Sequence, residues 1–211
     1  VLVSRYQEVR QATERLCGPL GIEDYVIQAM KEVSPAKWHL AHVSWFFETF
    51  LLKPCLAGYR PFAPEYQYLY NSYYNAVGSQ YNKFGRGLLS RPTVSEIYEY
   101  RAYVDHAMLN LIETTSAAQL HEIGSLITLG LNHEQQHQEL LLTDIKYNLS
   151  VNPLRPAYET TDFPRASEST SLRWVEFDGG LAWTGHDREG FAFDNEWPRH
   201  QTFLAPFRLA S

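Results

Sequence analysis

Eight histidines lie along the chain, and four of them stand where metal chemistry is possible. His133 and His137 are four residues apart in LNHEQQHQELLL, a stretch with helical patterning. That spacing puts both imidazoles on one helix face. Neutral imidazole is the commonest metal ligand among side chains near neutral pH, so the pair makes half of a metal site. His39 and His42 stand three apart in WHLAHVSWFF. A polar ring among such apolar neighbours costs free energy unless it is bonded. Two histidines at that spacing do not easily both reach one ion, so one is expected to ligate and the other to serve structure. Spacing alone leaves open which. The run from His133 to His137 also matches H-E-x-x-H, the zinc-peptidase signature, with Glu134 as base. Glu159 lies 22 residues beyond His137, roughly where a third ligand can come. Against that reading, Glu159 falls outside any helical pattern and the buried histidines of the earlier segment stay unexplained. His106, His121, His186 and His200 lack such a context.

Period and punctuation indicate the elements that must hold these side chains. Val3, Tyr6, Val9, Ala12 and Leu16 recur at helical spacing over 3–17, and Gly18 is a natural stop. A short helix is expected at 22–31. Ser34-Pro35 reads as an N-cap followed by proline at the first helical position. The helix it opens, 35–52, is apolar nearly all round and is expected to be buried. Residues 53–92, rich in Pro, Gly, Tyr and Asn, predict a long ordered loop, a feature that is often functional. Thr93 and Glu96 form a capping box for a helix to 114, and Ser116 can cap another over 117–148. Four long helices predict a four-helix bundle, a fold that builds metal sites from facing helices. After Leu149 the composition changes. Residues 150–172 read as a Pro/Ser/Thr-rich linker, and RWVEFDGGLAWTGHD reads as a strand, a Gly-Gly turn and a second strand. The expected class is therefore α+β, with a helical domain over 1–149, a linker over 150–172 and a second domain beginning at 173. Residues 173–211 are too few to fold alone.

Composition limits the function classes. The chain is 45% hydrophobic and 20% charged, an ordinary globular profile. Aromatics reach 14%, enough to line a pocket. A net charge of −6 argues against a general nucleic-acid binder. No apolar run is long enough to span a membrane, and the amphipathic start is not a signal peptide. Cys17 and Cys55 form no disulfide framework and read as structural, so a reducing cytoplasm is the expected location. The chain starts at Val1 and stops at Ser211 without an end signal, as a portion of a longer protein would.

Taken together, SPAKWHLAHVSWFFETFLL, YLYNSYYNAVG, RGLLSRPTVSEIYEYR and LNHEQQHQELLLTDIKYNL resemble the DinB-like amino-terminal domain of the ergothioneine-forming sulfoxide synthases, non-heme iron enzymes of the EgtB type. GGLAWTGHD and FAFDNEWPRHQTFLAPFRLAS are similar to the opening of their C-type-lectin-like, formylglycine-generating-enzyme-like domain. The resemblance covers nearly the whole chain in order. It implies Fe(II) held by His42, His133 and His137, and so selects His42 over His39; three imidazoles by themselves would suit zinc equally. It implies an O2-dependent reaction joining a thiol, cysteine or γ-glutamylcysteine, to C2 of the hercynine imidazole as a sulfoxide. A three-ligand ion keeps positions open for such substrates. The resemblance also suggests Tyr73 or Tyr74 as proton donor and Gln136 as a contact to hercynine. Arg86 can hold the carboxylate of the thiol substrate, because arginine pairs bidentately with carboxylates; Arg91, before Pro92, reads as structural. In this family the second domain supplies much of the substrate pocket. The remainder of that domain, carried on a second chain, is the partner this implies.

Other readings remain. An ovothiol-type histidyl-cysteine sulfoxide synthase differs in carbon position and substrate methylation. A DinB-like metal-dependent thiol transferase would use the same bundle, although the FDNEWPRH segment argues against it. A non-catalytic metal-binding bundle and the H-E-x-x-H zinc protease complete the set.

Overall fold

A computed structural model describes residues 1–160 and 171–211. They fall into two compact units, the first closing at Thr160 and the second represented by 171–211. Of the expected linker at 150–172, residues 161–170 lie outside the described residues.

The first unit is a bundle of four long helices. They are α1 (Leu2–Cys17), α2 (Ala36–Phe47), α5 (Val94–Thr114) and α6 (Ala117–Ser150), with short helices α3 (Lys53–Cys55) and α4 (Tyr66–Tyr70) between α2 and α5. Helix α2 is the central one. All twelve of its residues are buried, because it packs against both α5 and α6 while α1 closes over the same two helices. This explains why its sequence has no polar stripe. Thr93 caps α5 through a capping box with Glu96, and Ser116 caps α6 by accepting from the Gln119 N–H, as their spacing predicts. Gly130 sets the distance between α6 and α2. A Cβ at that position would come within 2.6 Å of Phe47 and 3.0 Å of Phe46, so only glycine permits this approach, one turn ahead of His133.

Three expectations about these elements need correction. The helix expected at 22–31 is only a 3-10 turn over Ile22–Val26. Beyond it the chain is held extended by side-chain bonds: Ala29 N–H donates to Asn148, and Gln28 bridges to the Val33 and Lys83 carbonyls. Ser34 is not the N-cap of α2. Its hydroxyl accepts from Arg86 instead, and the cap position falls to Pro35. The helix expected to run to 52 widens into a π turn over Glu48–Leu52, closed by the Lys53 N–H on the Glu48 carbonyl.

The segment 53–92, expected as loop throughout, is ordered loop interrupted by α3, α4 and a 3-10 turn over Lys83–Leu88, and it is secured from several sides. Glu48 accepts from Tyr59, Tyr100 and the Phe62 N–H. Asn71 donates to the Tyr74 and Gly78 carbonyls. Buried Lys37 donates to the Leu89 and Pro92 carbonyls. These bonds fix the loop that carries Tyr73, Tyr74 and Arg86.

The second unit holds strands β1 (Trp174–Phe177), β2 (Gly180–Thr184), β3 (His200–Leu204) and β4 (Phe207–Ala210). The turn between β1 and β2 falls at Gly179 and Gly180, both at positive φ, and a Cβ on Gly179 would strike the Leu204 carbonyl. The two strands do not pair with each other. β1 pairs antiparallel with β4, from Trp174↔Ala210 to Phe177↔Phe207, and β2 pairs with β3 inside that pair. Trp174, Leu181, Trp183, Phe203 and Leu209 stay exposed, so the described strands bury no core of their own. No helix among the described residues is long and apolar enough to cross a membrane.

Candidate metal centre

The bundle brings α2 and α6 face to face at their histidines. His42, His133 and His137 each offer one ligand atom, and these atoms lie within 4.8 Å of one another. Among the described residues no other set of three acidic, His or Cys groups is this close. Ring centroids are 5.1 Å apart for His42 and His133, 4.7 Å for His42 and His137, and 4.6 Å for His133 and His137. The i, i+4 spacing on α6 thus meets a single histidine from α2, the arrangement expected from sequence. His39 is not in the cluster. It sits behind it, with Nδ1 2.9 Å from His137 Nδ1 and Nε2 2.9 Å from Asp144 Oδ2.

The surroundings favour neutral rings with free lone pairs. The Tyr70 carbonyl lies 2.7 Å from His42 Nδ1. A carbonyl only accepts, so that nitrogen carries the proton and Nε2 is free to ligate. Trp38 and Trp45 stack on the His42 ring at 4.5 Å and 5.5 Å. Burial, with the neighbouring His133, pushes His42 well below the usual histidine range. Burial lowers His133 to about 4. Burial, then the neighbouring His42 and His39, lowers His137 well below the usual range. Burial also lowers His39, against an opposing pull from Asp144. His133 Nδ1 is a buried polar atom without a partner. Neutral, desolvated imidazoles converging in this way fit a divalent ion of intermediate softness.

Glu134 is placed elsewhere. It follows His133 on α6 but turns away into the core, fully buried. It accepts from Arg10 at 2.9 Å, Arg101 at 2.6 Å and Thr13 at 2.6 Å. Burial alone would raise its carboxyl, but Arg10 and Arg101 outweigh that and hold it at about 2. A carboxylate with that pKa and three donors cannot serve as a general base near neutrality. The H-E-x-x-H match is therefore not a peptidase site, and Glu159 is not among the ligand-bearing groups.

A cavity of about 330 Å³ opens over the three histidines. Its wall includes Trp38, Ser72, Tyr73, Tyr74, Arg86 and Gln136. A larger groove of about 690 Å³ runs beside the end of α6, but it lies away from the clustered histidines.

Arg86 is 4% exposed, and its guanidinium lies 3.4 Å from the centroid of the Trp38 ring. It donates to two hydroxyls, Ser34 at 2.8 Å and Ser72 at 3.0 Å, and its Nε has no partner among the described residues. Burial lowers its pKa to about 10, which leaves it charged. Tyr73 and Tyr74 diverge. Tyr73 adopts φ +66 and is 78% exposed, its N–H held by Gln80 Oε1 at 2.9 Å. Tyr74 packs on Trp45 and Phe50, and burial raises its pKa. Gln136 is exposed on the cavity wall. Arg91 is exposed and its side chain reaches only the neighbouring Ser90 carbonyl.

Sequence reasoning missed Asp144, Trp38 and the Arg10–Glu134–Arg101 network. Asp144 lies seven residues after His137, hence on the same face of α6, which was the signal available for it. The arginines come from α1 and α5 and carry no local signature.

Comparison with known proteins agrees with this geometry. The chain is 28% identical over 183 residues to hercynine oxygenase of Mycolicibacterium smegmatis, an alignment covering 84% of this chain. The chain spans 39% of that relative's length. Residues 5–141 match the DinB superfamily, and that match contains most of α1, all of α2 and α5, and all three clustered histidines. A bundle whose facing helices contribute one and two histidines to a common point, matched over more than half its length, belongs to the DinB superfamily.

Proposed function

We propose that this chain is the metal-binding part of a non-heme Fe(II), O2-dependent sulfoxide synthase that joins cysteine or γ-glutamylcysteine to C2 of hercynine. The observation that carries the reading is the three-histidine cluster under a polar cavity, in a chain similar to hercynine oxygenase over most of its length. The overall reaction balances as thiol plus imidazole C–H plus O2 giving sulfoxide plus water. C–S bond formation and sulfur oxidation each release two electrons, and O2 takes all four. One oxygen ends on sulfur. The other leaves as water with the S–H and C–H hydrogens.

His42, His133 and His137 would hold the iron, which supplies open coordination positions and O2 chemistry when bound. The chain's own groups bind and orient the substrates. Among the described residues the buried Arg86 guanidinium donates to the hydroxyls of Ser34 and Ser72 and forms an ion pair with no carboxylate, and a substrate carboxylate would compensate it through a charge-assisted pair. Trp38 keeps both Arg86 and His42 in place by stacking. Tyr73, exposed at the cavity wall, is better placed than the packed Tyr74 to deliver a proton. Gln136 offers an amide to the imidazole substrate. Residues 173–211 are assigned to the opening of a C-type-lectin-like domain, whose further segments, in the same polypeptide or a second chain, would complete the pocket.

The test is O2 uptake by anaerobically Fe(II)-loaded protein given hercynine and cysteine, with His133→Ala alongside. Uptake that needs both substrates, yields a sulfoxide and vanishes in the variant supports the proposal. Uptake with histidine but not hercynine favours the ovothiol-type reaction. Iron binding without uptake, in this chain and in the chain joined to a complete second domain, overturns it. Thiol transfer without O2 would point to a DinB-like transferase, for which the superfamily match itself is the supporting observation.

A further inference from the structure

Partly buried Asp144 and buried His39 and His137 form a directed chain beside the cluster. Asp144 Oδ2 accepts the Ser34 N–H at 2.7 Å and lies 2.9 Å from His39 Nε2. An ionised carboxylate only accepts, so the proton in the second contact belongs to His39. A neutral imidazole has one N–H, and His39 Nδ1 is therefore a lone pair. That lone pair lies 2.9 Å from His137 Nδ1, so the proton between the two rings belongs to His137. His137 Nε2 is left as a lone pair, free to be the ligand atom that this residue offers to the cluster.

We infer that Asp144 and His39 are positioning residues for His137, fixing by hydrogen bonds which of its nitrogens is presented to a metal ion. The inference rests on the reading that the three histidines hold a divalent metal, and it adds two residues that lie outside the three-histidine cluster. His42 has its own orienting acceptor in the Tyr70 carbonyl. Among the described residues His133 Nδ1 has no partner, so orientation is seen there for two of the three ligands. His39 is 2% exposed and is held at both ring nitrogens, so it cannot swing away without breaking both bonds. The same chain explains the histidine pair three apart on α2: one ring faces the ion and the other supports a ligand from the opposite helix. Outer partners of this kind typically change metal affinity by about 10- to 100-fold when removed.

The experiment measures Co(II) and Fe(II) affinity of the whole chain by competition with a chromophoric chelator, together with the Co(II) visible spectrum. His39→Phe keeps an aromatic ring but offers no acceptor to His137. His39→Asn returns an amide oxygen near the place of Nδ1. The expected result is a dissociation constant raised about 10- to 100-fold in His39→Phe with an altered Co(II) spectrum, and recovery of most of that loss in His39→Asn. Asp144→Asn, which removes the charge but keeps an acceptor, is expected to weaken binding by roughly 10-fold or less, and carries the test should His39→Phe not fold. Wild-type affinity in both His39→Phe and Asp144→Asn overturns the inference. Equal losses in the Phe and Asn variants at His39 also overturn it, because packing alone would then explain them. A wild-type chain that binds neither ion overturns the three-histidine site itself, a different failure from a wild type that binds and a His39→Phe that binds equally well.

Discussion

Replacing Glu134 by glutamine separates two accounts of the H-E-x-x-H run. Its carboxylate is fully buried between Arg10 and Arg101, with Thr13 as a third donor. Removing one partner of a buried ionic group typically costs about 3–5 kcal/mol, because the opposite charge is left uncompensated. Here each arginine keeps a second anion, Asp105 for Arg10 and Glu14 for Arg101, and the amide retains one acceptor. The lower end, about 3 kcal/mol, is therefore expected. At roughly 2–4 °C per kcal/mol for a chain of this size, Glu134→Gln should lower the melting temperature by about 6–12 °C. The carboxyl titrates in the fold at about 2, below its ordinary 4.5. Its contribution is thus fully present above about pH 4.5 and is lost as pH falls toward 2, so the gap between wild type and variant should narrow over that window. The assay is thermal unfolding by circular dichroism at a series of pH values, on metal-free protein, with metal affinity measured beside it. A variant with unchanged melting temperature and abolished peptide hydrolysis would refute the structural assignment and restore the peptidase reading.

Three further outcomes follow from the same geometry. Arg86→Met should leave metal affinity unchanged while weakening binding of a carboxylate-bearing thiol by about 10- to 100-fold, the worth of a charged hydrogen-bonded contact; titration calorimetry checks it, and a collapse of the apo fold instead would make Arg86 structural. Metal-free protein should lose stability as pH falls from the ordinary histidine value of 6.5 toward 4: the unfolded chain takes up protons there that the buried rings of His42, His133 and His137 refuse. Melting curves with and without Co(II) test this, and an apo curve flat across that window counts against the neutral cluster. Gly130→Ala gains about 1 kcal/mol of helix propensity but drives a methyl into Phe47 and Phe46, an overpacking cost of about 1–3 kcal/mol; a raised melting temperature would show that α6 can move without loss.

The parts of the fold that could be read from sequence were those governed by local rules. The capping box of Thr93 and Glu96, the Ser116 cap and the predominantly apolar sequence of α2 each specify an element from its own residues. So does the i, i+4 pair on α6. The failures are places where a distant group took over a local signal. Ser34 has the chemistry of an N-cap, but its hydroxyl is occupied by Arg86 and its N–H by Asp144. Residues 27–31 lack a helix, and Asn148 instead satisfies the Ala29 N–H and the Ile27 carbonyl from α6. Strands β1 and β2 surround a Gly-Gly turn but find their partners in β4 and β3, a choice that no window around the turn contains.

The candidate site divides in the same way. The His133 and His137 pair follows from helix period, whereas the choice of His42 over His39 comes from the family resemblance and not from spacing. What holds these rings in place follows from neither. The buried anion between Arg10 and Arg101 joins α1, α5 and α6 directly behind His133, and the Asp144–His39 chain joins α6 to α2 directly behind His137. Both are largely buried hydrogen-bonded networks, in surroundings where a missing partner costs far more than the bond contributes. An apolar core would hold the helices as firmly but would allow them to slide by a fraction of a turn. Directional bonds at both α6 positions, with Gly130 permitting close contact one turn earlier, restrict α6 to the register in which its two imidazoles meet the one from α2.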